Sequence, residues 1–142
     1  MLDIVKHISI GDKEYPMAYT LNVMEEIQEK YGTIENWGKV MQPEPYEKTE
    51  IDKITGVEKS VIVIPEPKIK DIKWTFTQFI NEGIDIENEE KGEKRPFITE
   101  KKVGRFISAV GINNVNKELM NITVASTKAA ENEEDEEDIK NE

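Results

Sequence analysis

Apolar residues alternate with polar ones at Ile8 and Ile10, and again at Tyr15, Met17 and Tyr19, with Gly11-Asp12 between the two runs. A period of two marks strands, and a two-residue link led by glycine suits a type II′ turn, so an antiparallel hairpin is expected to open the fold. The period then lengthens. Met24, Ile27 and Tyr31 recur at helical spacing, Asn22 can cap a helix with Glu25 reaching back, and Gly32 is placed to end it. Thr33 can cap a second short helix holding Ile34, Trp37 and Val40, stopped by Pro43.

Two copies of Pro-Glu-Pro, at 43–45 and 65–67, bracket the next segment. Proline removes an amide donor and resists helix, so 43–67 reads as an excursion between helical parts. Within it, Lys48–Ile54 and Val57–Ile64 flank Thr55-Gly56 and predict a second hairpin, a surface insertion. From Lys68 to Gly83 the pattern is strongly helical. Ile69, Ile72, Phe76, Phe79 and Ile80 share one face, and Gly83 is expected to end the helix. Trp74 points almost opposite that stripe, either as an anchor for a partner or as a residue covered by the excursion or a neighbouring helix. Residues 84–97 read as a charged loop. Thr99 then caps a helix with Val103, Phe106, Ile107 and Val110 on one face, closed by Gly111. Asn113 or Asn114 opens a last helix carrying Val115, Leu119, Ile122 and Ala129 on one side and Met120 and Val124 on the other. Two stripes imply contacts on both faces, either within the domain or with another subunit, which leaves self-association open; Trp74, Met120 and Val124 are the candidate partner-binding residues.

The expected fold is therefore α+β: one mainly helical domain over 1–130, with an N-terminal hairpin, a hairpin insertion at 43–67 and a disordered acidic tail. Its expected core includes Ile8, Ile10, Met24, Ile27, Tyr31, Ile72, Phe76, Phe79, Val103, Phe106, Ile107, Leu119 and Ile122.

Charge changes this picture at one end. The 142 residues carry a net charge of −11, and 131–142 hold eight acids and one lysine, or −7, leaving −4 on the preceding 130. So charged a segment cannot bury enough apolar surface to fold alone. The remaining body lacks the basic footprint of a nucleic-acid binder. The longest aliphatic run, Val61–Ile64, is too short to cross a membrane, and the N-terminus shows no secretory pattern. Without cysteine there is no thiolate chemistry. His7 is the single histidine and has no nucleophile pattern beside it; it reads as a surface histidine of the first hairpin. No glycine-rich phosphate loop occurs. Asp85, Glu87 and Glu89 have the spacing of a calcium loop, but Glu90 stands where the turn needs glycine and Pro96 where a bidentate glutamate belongs. No catalytic residue, cofactor or metal is expected.

Two blocks carry a family likeness. The first joins Ile8-Ser9-Ile10-Gly11-Asp12-Lys13-Glu14-Tyr15-Pro16 to Leu21-Asn22-Val23-Met24-Glu25-Glu26-Ile27 and Tyr31-Gly32-Thr33-Ile34-Glu35. The second joins Phe79-Ile80-Asn81-Glu82-Gly83-Ile84 to the run from Ile98 to Ile107. Together they cover about half the chain, and they resemble the tail assembly chaperones of long-tailed phages and of prophage elements in low-GC Gram-positive bacteria. The 43–67 excursion is not part of that pattern. The resemblance implies a non-enzymatic protein of the host bacterial cytoplasm that binds the tape measure protein, helps recruit the tail tube protein and is absent from the virion. Two other readings are a structural tail or head–tail component retained in the virion, and an acidic mimic of nucleic acid that inhibits a host protein. The mimic needs carboxylates spread over a folded surface, whereas most of this charge lies in the tail.

Overall fold

The computed structural model describes residues 4–125. Its architecture is α+β, with five helices and two antiparallel hairpins among those residues. Strands β1 (Val5–Ile10) and β2 (Lys13–Ala18) form the first hairpin. Gly11 takes φ 62° while no non-glycine residue among those described, Asp12 included, has positive φ, which makes the turn II′ rather than I′. Helices α1 (Leu21–Tyr31) and α2 (Ile34–Met41) follow, then strands β3 (Tyr46–Ile51) and β4 (Glu58–Val63). The long helix α3 (Ile69–Lys91) comes next, followed by α4 (Glu100–Val110) and α5, helical over 112–125. The expected tail, 131–142, and Ala129 lie outside the described residues.

Four sequence expectations are corrected. Thr20, not Asn22, is the N-cap of α1; Asn22 lies inside the helix, its amide 3.5 Å from Glu82 Oε1, so the reach-back by Glu25 has no cap to complete. Gly83 does not end α3. The helix runs on to Lys91 and stops at Gly92, which adopts the left-handed conformation at φ 67°. The segment 84–97 is thus a loop only in its second half. The last helix begins at 112, so Asn113 and Asn114 lie inside it and neither opens it.

Gly83 has a packing reason. A Cβ placed there would lie 2.6 Å from the Pro16 carbonyl carbon and 2.7 Å from Met17 N. Strand β2 therefore lies with its backbone directly on α3 at the one position without a side chain. That contact buries both faces of β2, so Pro16 and Ala18 are covered along with Tyr15 and Met17, and the expected alternation fails there.

Helix α3 is the axis of the core. Ile72, Phe76, Phe79, Ile80 and Ile84 are buried along it, with Met17, Ile27, Trp37, Met41, Val103, Val115 and Leu119 around them. Tyr19 stacks on Trp37 at 6.0 Å and tilts against Phe79 at 5.4 Å. The Trp37 indole N–H donates to Thr75 Oγ1 at 3.1 Å, which satisfies the polar atom that a buried tryptophan brings. Of the thirteen expected core residues, Met24, Tyr31 and Phe106 are only partly buried, each packed on the core's edge.

Two asparagines fix the return from α3 to α4. Asn81 donates to Ile98 O at 3.1 Å and accepts from Ile98 N at 2.8 Å. Seven residues on, Asn88 does the same with Arg95, at 2.9 and 3.1 Å. Each side-chain amide supplies one donor and one acceptor, as a neighbouring strand would. The segment is held to the helix without being a strand. Thr99 then caps α4 by accepting from Lys102 N at 3.2 Å.

Candidate functional site

Two polar clusters come closest to chemistry. Glu87 on α3 is buried at 7 % exposure, and its carboxylate lies 2.6 Å from His7 Nε2 and 3.0 Å from Lys91 Nζ. An ionised carboxylate only accepts, so the His7 proton facing it sits on Nε2. Burial pushes the Glu87 carboxyl up; the hydrogen bonds from Lys91 and His7 outweigh that and leave it below the ordinary glutamate value. The bond from Glu87 in turn raises Lys91. The arrangement ties β1 to the last third of α3. It is a structural clasp, and no nucleophile stands in it.

The second cluster explains Trp74. Its ring is half-buried, meets Tyr31 edge-on at 5.6 Å, and has Lys30 Nζ above it at 4.6 Å. The Tyr31 hydroxyl donates to Asp71 Oδ1 at 2.8 Å. Burial first, then that bond and the Asp71 charge, hold the hydroxyl well above the ordinary tyrosine value. The cover over Trp74 therefore comes from the end of α1. Met120 is partly buried against the core, and Val124, one turn on, is 51 % exposed. The three candidate partner-binding residues thus sit on two elements, Trp74 on α3 against the end of α1 and the other two on α5. Among the described residues no group of three or more acidic or histidine side chains is placed to hold a metal ion.

The most distinctive surface lies elsewhere, on the segment the sequence marked as a plain insertion. Seven of the eleven exposed large hydrophobic residues among those described fall between Tyr46 and Ile69: Tyr46, Ile51, Ile54, Val57, Ile62, Ile64 and Ile69. Among the described residues, strands β3 and β4 pair only with each other. Every residue of β3 is exposed, and Ile54 at the tip is 94 % exposed. The register places Ile51, Ile62 and Ile64 on one face of this arm, and Tyr46, Val61 and Val63 on the other. The tip is well made. Asp52 accepts from the N–H groups of Ile54 and Thr55, bonds that hold its carboxyl below the ordinary value, and Gly56 closes the loop at φ 69°.

At the foot of the arm the apolar surface continues onto the body. A groove of about 280 Å³ is lined by Ile69, Lys73, Gly104, Ile107, Gly111 and Ile112 among others. A second hollow, about 160 Å³, shares Ile69 and Ile112 and adds Pro67, Ile72 and Asn116. The sequence signal for this surface was partial: the insertion is rich in isoleucine and valine, but its pattern does not say whether anything covers them. No known family model matches this chain, and neither a characterised protein nor a solved structure matches it.

Proposed function

We propose that this protein is a non-enzymatic assembly chaperone of a long-tailed phage or prophage, acting in the host cytoplasm. It binds the tape measure protein, shields that protein's apolar helical stripes and promotes assembly of the tail tube. The observation that carries this reading is the concentration of exposed apolar side chains on the arm and at its foot, in a chain whose charge is otherwise high. Apolar patches rimmed by polar residues are protein-binding sites, and a groove between helices suits the apolar face of an amphipathic helix. Ile69 and Ile112 are the central contacts of that groove. The sequence blocks that resemble tail assembly chaperones support the same reading, and the net negative charge keeps a complex with a sticky partner dispersed. No described helix is long and apolar enough to cross a membrane.

The test is co-expression with a tape measure fragment. Wild-type protein should keep the fragment soluble and co-purify with it, whereas Ile69→Asp should lose co-purification while melting like wild type. Mass spectrometry of purified particles should find the protein absent. Its presence there at structural copy number would replace this reading with that of a retained tail component.

A further inference from the structure

The arm exposes more than side chains. A two-stranded ribbon has two free edges, and an isolated hairpin is only marginally stable in water, whereas three or more strands hold on their own. Asp52 N donates to Val57 O at 3.0 Å, which makes 52 and 57 a hydrogen-bonded pair. Antiparallel pairs alternate, so Glu50↔Lys59, Lys48↔Val61 and Tyr46↔Val63 are the other bonded pairs of this register. The backbone N–H and C=O groups of Glu47, Thr49 and Ile51 therefore point away from β4, along the free edge of β3. Pro45 bounds this edge at one end and the Asp52 turn at the other.

We propose that β3 pairs antiparallel with β3 of a second copy of this chain, about a two-fold axis through Thr49. The proposal does not depend on the tape measure reading. In this register Thr49 faces Thr49, and Glu47 faces Ile51 on both sides of the axis. All three outward residues of each strand then exchange N–H···O bonds. The side chains agree: Lys48 of each copy stands opposite Glu50 of the other. The neighbouring registers fail. A two-fold at Lys48 sets Lys48 against Lys48 and puts Pro45, which has no N–H, opposite Ile51. A two-fold at Glu50 sets Glu50 against Glu50 and runs Glu47 into the turn. Like charges directly opposite each other destabilise a sheet, and opposite charges and paired threonines stabilise it. Lys59, already opposite Glu50 within the arm, extends the row to Lys59, Glu50 and then Lys48 of the second copy, alternating in sign across the sheet. Strand β4 has no such alternation along its edge. The product is a four-stranded sheet with β4 strands outermost, joining two bodies through their arms.

The chain has no cysteine, so an introduced one reports alone. Directly opposed bonded residues lie about 5.5 Å apart at Cα, within disulfide range. Thr49→Cys should therefore oxidise to a linked dimer. Lys48→Cys and Glu50→Cys should each stay unlinked alone and link when mixed, because the axis sets each diagonal to itself and opposite the other. In sedimentation equilibrium the wild type should show twice the chain mass. Thr49→Pro removes an N–H that the arm's own ladder does not use, on an edge where proline is tolerated. Lys48→Glu sets like charges opposite each other. Both variants should sediment as single chains with the body's melting temperature unshifted. The proposal is overturned by a wild type of single-chain mass at every concentration, by a dimer indifferent to Thr49→Pro, or by linkage through Ile62→Cys in place of Thr49→Cys, which would assign the contact to β4.

Discussion

Single residues decide how closely the elements meet, and Gly83 does so most plainly. A methyl group there must displace the backbone of Pro16 and Met17, which cannot yield as a flexible side chain can. Gly83→Ala should destabilise the protein by about 1–3 kcal/mol despite the better helix propensity of alanine, as read from chemical denaturation. The same glycine shows where the sequence misleads. A glycine after an apolar helical stripe signals a helix end, and the signal is right at Gly32 and Gly111. At Gly83 the identical residue serves close approach, and only the position of β2, distant in sequence, tells the two apart. Glu87 poses a similar problem, since an acidic run on α3 gives no hint that one carboxylate is buried against His7. With its carboxyl held below the ordinary value, Glu87 adds stability that is present above the unfolded-state value, about 4.3, and is lost as the pH falls through the folded-state value. Glu87→Gln should cost about 1–2 kcal/mol at neutral pH, with the gap from wild type closing in acid, which denaturant midpoints measured across pH will check.

Among the elements, those with strong periods and clear punctuation were legible: the first hairpin, α2 with its Thr33 cap, α4 with its Thr99 cap, and the core stripe of α3. What stayed hidden depended on neighbours far along the chain. The second half of α3 has few apolar positions because it packs a polar clasp and the two asparagine bridges, so periodicity faded there while the helix did not. The second hairpin was legible as a hairpin. Its value as a surface was not, because alternation says which residues share a face and not whether anything covers it. The arm has its own ladder and no strand of the body beside it. Replacing 46–63 with a short flexible link should therefore leave the melting of the body, followed by circular dichroism, within about 0.5 kcal/mol of wild type.

For the whole molecule the ordering principle is that one 23-residue helix touches the first hairpin, α1, α2 and α4. Apolar burial is gathered around that axis while exposed apolar surface is gathered on the arm, so folding and assembly draw on different parts of one chain. The central position of α3 has a consequence during synthesis. The β1–β2 hairpin is made first, yet the wall it packs on at Gly83 comes some 65 residues later, several seconds at roughly 5–20 residues per second. Until then Tyr15, Met17 and Tyr19 have no core to enter, and two strands alone are marginal. The nascent chain thus carries its own uncovered apolar strand until α3 has left the ribosome, and a protein proposed to shelter others passes first through an interval in which it needs shelter itself.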